Sequence, residues 1–154
     1  MEYVIVKWLH ILSSTFLFGT GLGSAFYMFF TSLSRDPRAI ANVVKLVVIA
    51  DWTFTTPTII LQPATGFYLI HLAGFPLDST WIFGSIVLYL LAGACWLPVV
   101  WMQIKMRDMA VAAASTDSPM PARYWRFLRW WTALGVIAFV ALVIVFYLMV
   151  AKPM

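Results

Sequence analysis

Residues 6–27 read VKWLHILSSTFLFGTGLGSAFY, an apolar, glycine-punctuated run with one histidine near its start. A hydrocarbon core about 30 Å thick is crossed by about 20 apolar residues in a helix, the conformation that bonds its own backbone polar groups. This run meets that requirement, and three later segments do too. The spans fall at about residues 5–31, 44–73, 81–105 and 127–150, which accounts for nearly the whole chain of 154 residues. With 63% hydrophobic and only 10% charged residues, and a mean hydropathy of +0.91, the composition excludes a soluble domain of this size. The expected fold is therefore all-α: an integral membrane four-helix bundle forming a single transmembrane domain over residues 1–154. The first run lacks a basic leader and an A-x-A cleavage site, so it is expected to stay in the mature protein as a span.

Charge sets the orientation. The connection SLSRDPRAIANVVK (32–45) carries Arg35, Arg38 and Lys45, and the region after the third span carries Lys105, Arg107, Arg123, Arg126 and Arg129. Eight of the ten basic residues thus fall on one side, leaving Lys7 and Lys152 on the other. The positive-inside rule makes the basic side cytoplasmic, with both termini on the outer, periplasmic side of a bacterial inner membrane. The net charge of +4 reads as a topology signal, and no basic-aromatic surface for nucleic acid is present. Cys95 is the only cysteine, which leaves no intramolecular disulfide and no thiolate cluster. Between spans, DMAVAAASTDSPMPA (108–122) reads as a loop, and GFPLDST (74–80) as a tight turn in which Asp78 or Ser79 caps the third helix. Pro57 and Pro63 predict kinks in the second span, with Thr55, Thr56 and Gln62 bonding the backbone groups the prolines release.

Ionisable groups inside a membrane are costly, so each is a functional hypothesis. His10 enters from the outer side in the first span and His71 leaves on that side at the end of the second, which puts the two histidines at similar depth. Two imidazoles on facing helices suit the axial positions of a b-type haem. On the expected histidine stripes lie Ser14, Leu17 and Gly21 in the first span, and Phe67 and Ala64 in the second. Gly21 and Ala64 would let a flat macrocycle approach the backbone, and Phe67 would pack on its edge. The competing reading makes His10 a polar side chain bonded across helices and His71 an interfacial residue. Met149, near the outer end of the last span, is an alternative ligand. Gly19 and Gly23 form a GxxxG pair for close helix contact, within the bundle or in a homodimer. Asp51 lies towards the cytoplasmic end of its span, where Lys45, Arg107 or Arg129 is the expected partner. No Ser/His/Asp set, phosphate loop or carboxylate pair appears, which argues against hydrolysis and nucleotide chemistry.

The stretch VVIADWTFTTPTIILQPATGFYLIHLAGFPLDSTW (47–81), followed by LYLLAGACWLPVVWMQIKMRD (88–108), resembles the bacterial integral membrane proteins catalogued as domain of unknown function 2269. That resemblance implies a membrane fold and no particular activity. VKWLHILSSTFLFGTGLGSAFYMFF (6–30) and FTTPTIILQPATG (54–66) are also similar, more weakly, to HemJ-type protoporphyrinogen oxidases, and the first of them more loosely to copper-resistance D permeases. The HemJ likeness implies that His10 is a haem-linked histidine. The third span of that type is expected to begin with a tryptophan and lysine motif, and here it reads WIFGS (81–85), with Trp81 and no lysine. Three functions are thus expected from different classes. The first is a membrane cytochrome b that takes electrons from the quinone pool or another redox partner. The second is a copper-handling, permease-like protein using His10, His71 and Met149, and the third is a non-catalytic accessory subunit.

Overall fold

A computed structural model describes residues 1–153, and the described residues contain helices and no strand. Helix α1 spans Glu2–Leu33, α2 Pro37–Ala50, α3 Thr56–Ala73, α4 Thr80–Ser115 and α5 Ala122–Ala151. A five-residue π-helical turn, Asp51–Thr55, joins α2 to α3 without a break. Four helical spans of 32, 37, 36 and 30 residues result, each long and apolar enough to cross a membrane.

The connections follow local chemistry. The αR region is disfavoured for the residue before a proline, so α1 stops short of Pro37. Asp36 then caps α2, its carboxylate accepting from the Arg38 backbone N–H at 3.0 Å. Gly74 ends α3 in the left-handed conformation that glycine adopts without strain (φ 67°). Two expectations need correction. Ser79 occupies the N-cap position of α4, but its hydroxyl donates to the Pro76 carbonyl at 2.7 Å and caps nothing, and Asp78 makes no cap either. The expected loop at 108–122 shrinks to residues 116–121, because MAVAAA is mostly alanine, the strongest helix former, and carries α4 out to Ser115.

The antiparallel spans put both termini at one end of the bundle, together with the 74–79 turn. Lys152 Nζ lies 5.0 Å from the Phe75 ring centroid and 5.5 Å from that of Trp81, and the Tyr68 hydroxyl donates to Glu2. The other end carries the basic connections and the densest packing. There Met28, Ile40, Val44, Met106 and Tyr124 are fully buried, and the Tyr124 hydroxyl meets that of Ser32 at 2.7 Å. Helices α4 and α5 pack along their length, whereas α3 leans on α1 and scarcely touches α4 or α5. Towards the terminal end the bundle therefore parts into two pairs, and a gap opens between them.

Candidate functional site

Three glycines shape that gap. Gly21 on α1, Gly93 on α4 and Gly135 on α5 all border it, and a Cβ placed on any of them would meet no atom within 4 Å. The missing side chains leave a cavity of about 320 Å³, within the range of sites that take small organic ligands. Its wall is apolar and aromatic, with Leu17, Phe18, Trp96 and Phe139 among the lining residues. Leu22 on α1 and Val136 on α5 also line it while staying 50% and 55% exposed, so the mouth opens between those helices towards lipid.

The polar floor of the cavity is Asp51, Thr55, Gln103, Trp131 and Thr132. Asp51 is only 6% exposed and sits at the start of the π turn. One carboxylate oxygen accepts from the Thr55 hydroxyl at 2.9 Å, and the other accepts from the Gln103 amide at 2.5 Å. Behind Gln103, the Trp131 indole N–H donates to the amide carbonyl at 3.0 Å. The expected ion pair with Lys45, Arg107 or Arg129 is not formed. Arg107 turns to Asp108 at 2.9 Å, and the other ion pair among the described residues is Arg38 with Asp117. Higher in the cavity the Trp96 indole nitrogen is buried with no hydrogen-bond partner.

Proline chemistry links this region to α3. Pro63 has no N–H to give the Ile59 carbonyl four residues earlier, and the Tyr89 hydroxyl on α4 donates to that carbonyl instead, at 2.7 Å. The threonines do not do what was expected: Thr55 turns to the Asp51 carboxylate, and Thr56 donates to the Asp51 carbonyl, which the Thr56 backbone N–H already serves and which neither proline releases. Gln62 does something else and donates to the His10 carbonyl at 3.3 Å.

His10 lies nearer the terminal end, against α3. Its Nδ1 is 2.8 Å from the Thr65 hydroxyl, which itself donates to the Leu61 carbonyl at 2.6 Å. When Thr65 gives its one proton to Leu61 it accepts from Nδ1–H, and Nε2 then keeps its lone pair, with no hydrogen-bond partner among the described residues. A Cβ on Gly66 would lie 3.3 Å from His10 Cε1, so glycine permits this close approach.

His71 is not brought to His10. It follows Gly66 by five residues, about 7.5 Å along α3 and well over a third of a turn round it, and it is exposed. Ala64 and Phe67 are exposed too, and Ser14 donates to the Ile11 carbonyl at 2.7 Å. Of the expected haem-contact residues, Leu17 and Gly21 line the cavity, and neither histidine does. Gly19 and Gly23 make no close helix contact within the chain, since a Cβ on either meets nothing within 4 Å. Among the described residues no three of His, Cys, Asp and Glu gather as a metal site.

The fold and its site define a helical membrane protein with four candidate spans and a polar-floored cavity between them. The profile of the predicted integral membrane proteins of DUF2269 matches residues 4–153, and the chain belongs to that family. No curated protein and no solved structure matches the chain, so the likenesses to HemJ-type oxidases and copper-resistance D permeases rest on their short motifs alone.

Proposed function

We propose that the protein binds a small lipid-soluble molecule inside the bilayer, in the cavity between α1, α4 and α5. The observation that carries this reading is the pairing of an apolar, lipid-facing hollow with a buried carboxylate at its floor. A packing defect would be lined by apolar side chains alone, because a buried charge without a partner is strongly unfavourable. The unpartnered Trp96 N–H adds a donor for a ligand carbonyl or hydroxyl. A quinone of the membrane pool, with two oxygens on a flat apolar ring, belongs to this class. By the positive-inside rule the basic end faces the cytoplasm of a bacterial inner membrane, and the mouth residues Leu22 and Val136 fall well inside their spans.

The test is extraction of purified protein with organic solvent, followed by mass spectrometry of what is released. Wild type is expected to release a defined lipophilic compound that Gly135→Leu, whose new side chain fills the cavity, no longer retains. Equal release from both proteins would overturn the reading.

A second reading, b-type haem at His10, is favoured by the hydrogen bond between Nδ1 and Thr65, which in one tautomer leaves Nε2 bare. Metal-bound histidines commonly hold their second nitrogen in a hydrogen bond of this kind, leaving the first bare. The residues fit one axial ligand, and His71 does not fit as the second on the same face. Bound there, haem would supply one-electron chemistry; the bare nitrogen would equally suit a copper ion. Oxidised and dithionite-reduced absorption spectra decide it. A Soret band with sharp α and β bands, lost in His10→Ala and kept in His71→Ala, is expected if haem binds, and a colourless wild type grown with ample haem would sink it.

A further inference from the structure

We infer that the molecule taken by the cavity carries a cationic, hydrogen-bond-donating head, an organic ammonium, that docks on Asp51. The inference rests on the cavity being a ligand site and concerns what that site selects. The directions of the hydrogen bonds carry it. An indole N–H can only donate, so Trp131 fixes the Gln103 carbonyl as an acceptor and turns the amide NH₂ towards Asp51. Thr55 donates to the other carboxylate oxygen. The Trp131–Gln103 arm therefore runs towards Asp51, and with the Thr55 hydroxyl donating to the other oxygen Asp51 can accept on both, an arrangement that suits an ionised carboxylate.

No cation among the described residues pairs with that charge. The ion pairs among the described residues, Arg38 with Asp117 and Arg107 with Asp108, are both at the basic end, and neither includes Asp51. A carboxylate in a medium of low dielectric attracts a cation far more strongly than it would in water. Asp51 lines the cavity, and the aromatic side chains of Phe18, Phe29 and Trp96 line it too, the kind of wall that accommodates an ammonium. A neutral donor, a quinol hydroxyl included, could use the same oxygens but would leave the charge uncompensated.

The experiment compares two probes of nearly one shape, naphthylmethylamine and naphthylmethanol. Binding is measured by calorimetric titration into protein-loaded nanodiscs, with empty nanodiscs as the blank. The amine is expected to bind wild type at least about tenfold more tightly than the alcohol, an advantage that the attraction between unlike charges supplies. Asp51→Asn should abolish that advantage while still binding the alcohol, and Gly135→Leu should bind neither. Should Asp51→Asn fail to fold, Trp131→Phe, which frees the Gln103 amide to turn, is expected to narrow the preference. If amine and alcohol bind equally well to wild type, the cavity remains a ligand site and the cationic inference falls. If neither binds, the ligand-site reading falls with it.

Discussion

At Gln103 the orientation of one amide is decided by the residue beyond it. Trp131 can offer only a proton, so the carbonyl of Gln103 must face it and the NH₂ is left for Asp51. Trp131→Phe keeps most of the buried area but leaves that carbonyl unpaired, and a buried acceptor without a donor costs about 1–3 kcal/mol. Thermal unfolding in a single detergent should show a loss of that size, and an unchanged midpoint would mean that the network contributes nothing to stability. Two glycines give a matched contrast. In Gly66→Ala the new methyl lies 3.3 Å from the His10 ring, so the imidazole must shift and its bond to Thr65 weakens. In Gly93→Ala the methyl enters open space. Both variants gain up to about 1 kcal/mol of helix propensity, and overpacking of about 1 kcal/mol or more offsets it in the first alone. A Gly66→Ala midpoint equal to or above that of Gly93→Ala would contradict the packing described around His10.

At the scale of the element, the second span shows how a helix tolerates prolines inside a membrane. The π turn at Asp51–Thr55 comes just before Pro57, and Pro63 hands the Ile59 carbonyl to Tyr89 on α4. That exchange makes the two residues interdependent. Tyr89→Phe should cost about 1–3 kcal/mol because Ile59 is left without a donor. In a Pro63→Ala background the restored N–H supplies the bond, so the same change should be close to neutral. A double-mutant cycle on unfolding free energies reads the coupling directly, and additive effects would mean that Tyr89 is not the proline's substitute.

The four spans were legible in the sequence because hydropathy over about 20 residues is a local property. The Asp36 cap was not read from the sequence: the second span was expected from about residue 44, and α2 instead starts at Pro37, behind Asp36. The partners of Asp51 were not legible. Gln103 is 52 residues away, and in the sequence Lys45, Arg107 and Arg129 were the obvious counter-ions. The two histidines stand apart for a related reason: depth and rotation both depend on how α3 slides and turns against α1, and five residues beyond Gly66 carry His71 about 7.5 Å further along α3 and turn it away. A usable signal was present all the same. A glutamine and an aspartate inside apolar spans, with glycines at 21, 93 and 135 on three different helices, mark a polar floor beneath missing side chains.

For the whole molecule, the bundle fixes which segments share an end, and charge then chooses the face. Both termini and the 74–79 turn lie at one end, since Lys152 reaches Phe75 and Trp81. The 34–36 and 116–121 connections lie at the other, where Arg38 meets Asp117 at 3.2 Å. Any labelling result must therefore sort positions into these two groups, whichever way the protein is inserted. The buried Cys95 is the only native cysteine, so Cys95→Ala gives a background free of thiols. Leu77→Cys, in the exposed turn at the terminal end, and Pro119→Cys, in the exposed connection at the basic end, then report one face each. In intact cells opened only at the outer membrane, an impermeant maleimide is expected to label Leu77→Cys at once and Pro119→Cys only after the inner membrane is permeabilised. The reverse pattern would overturn the orientation drawn from charge and keep the fold. Labelling of both positions from one side would contradict the fold itself, because four antiparallel spans cannot expose both connections to the same compartment.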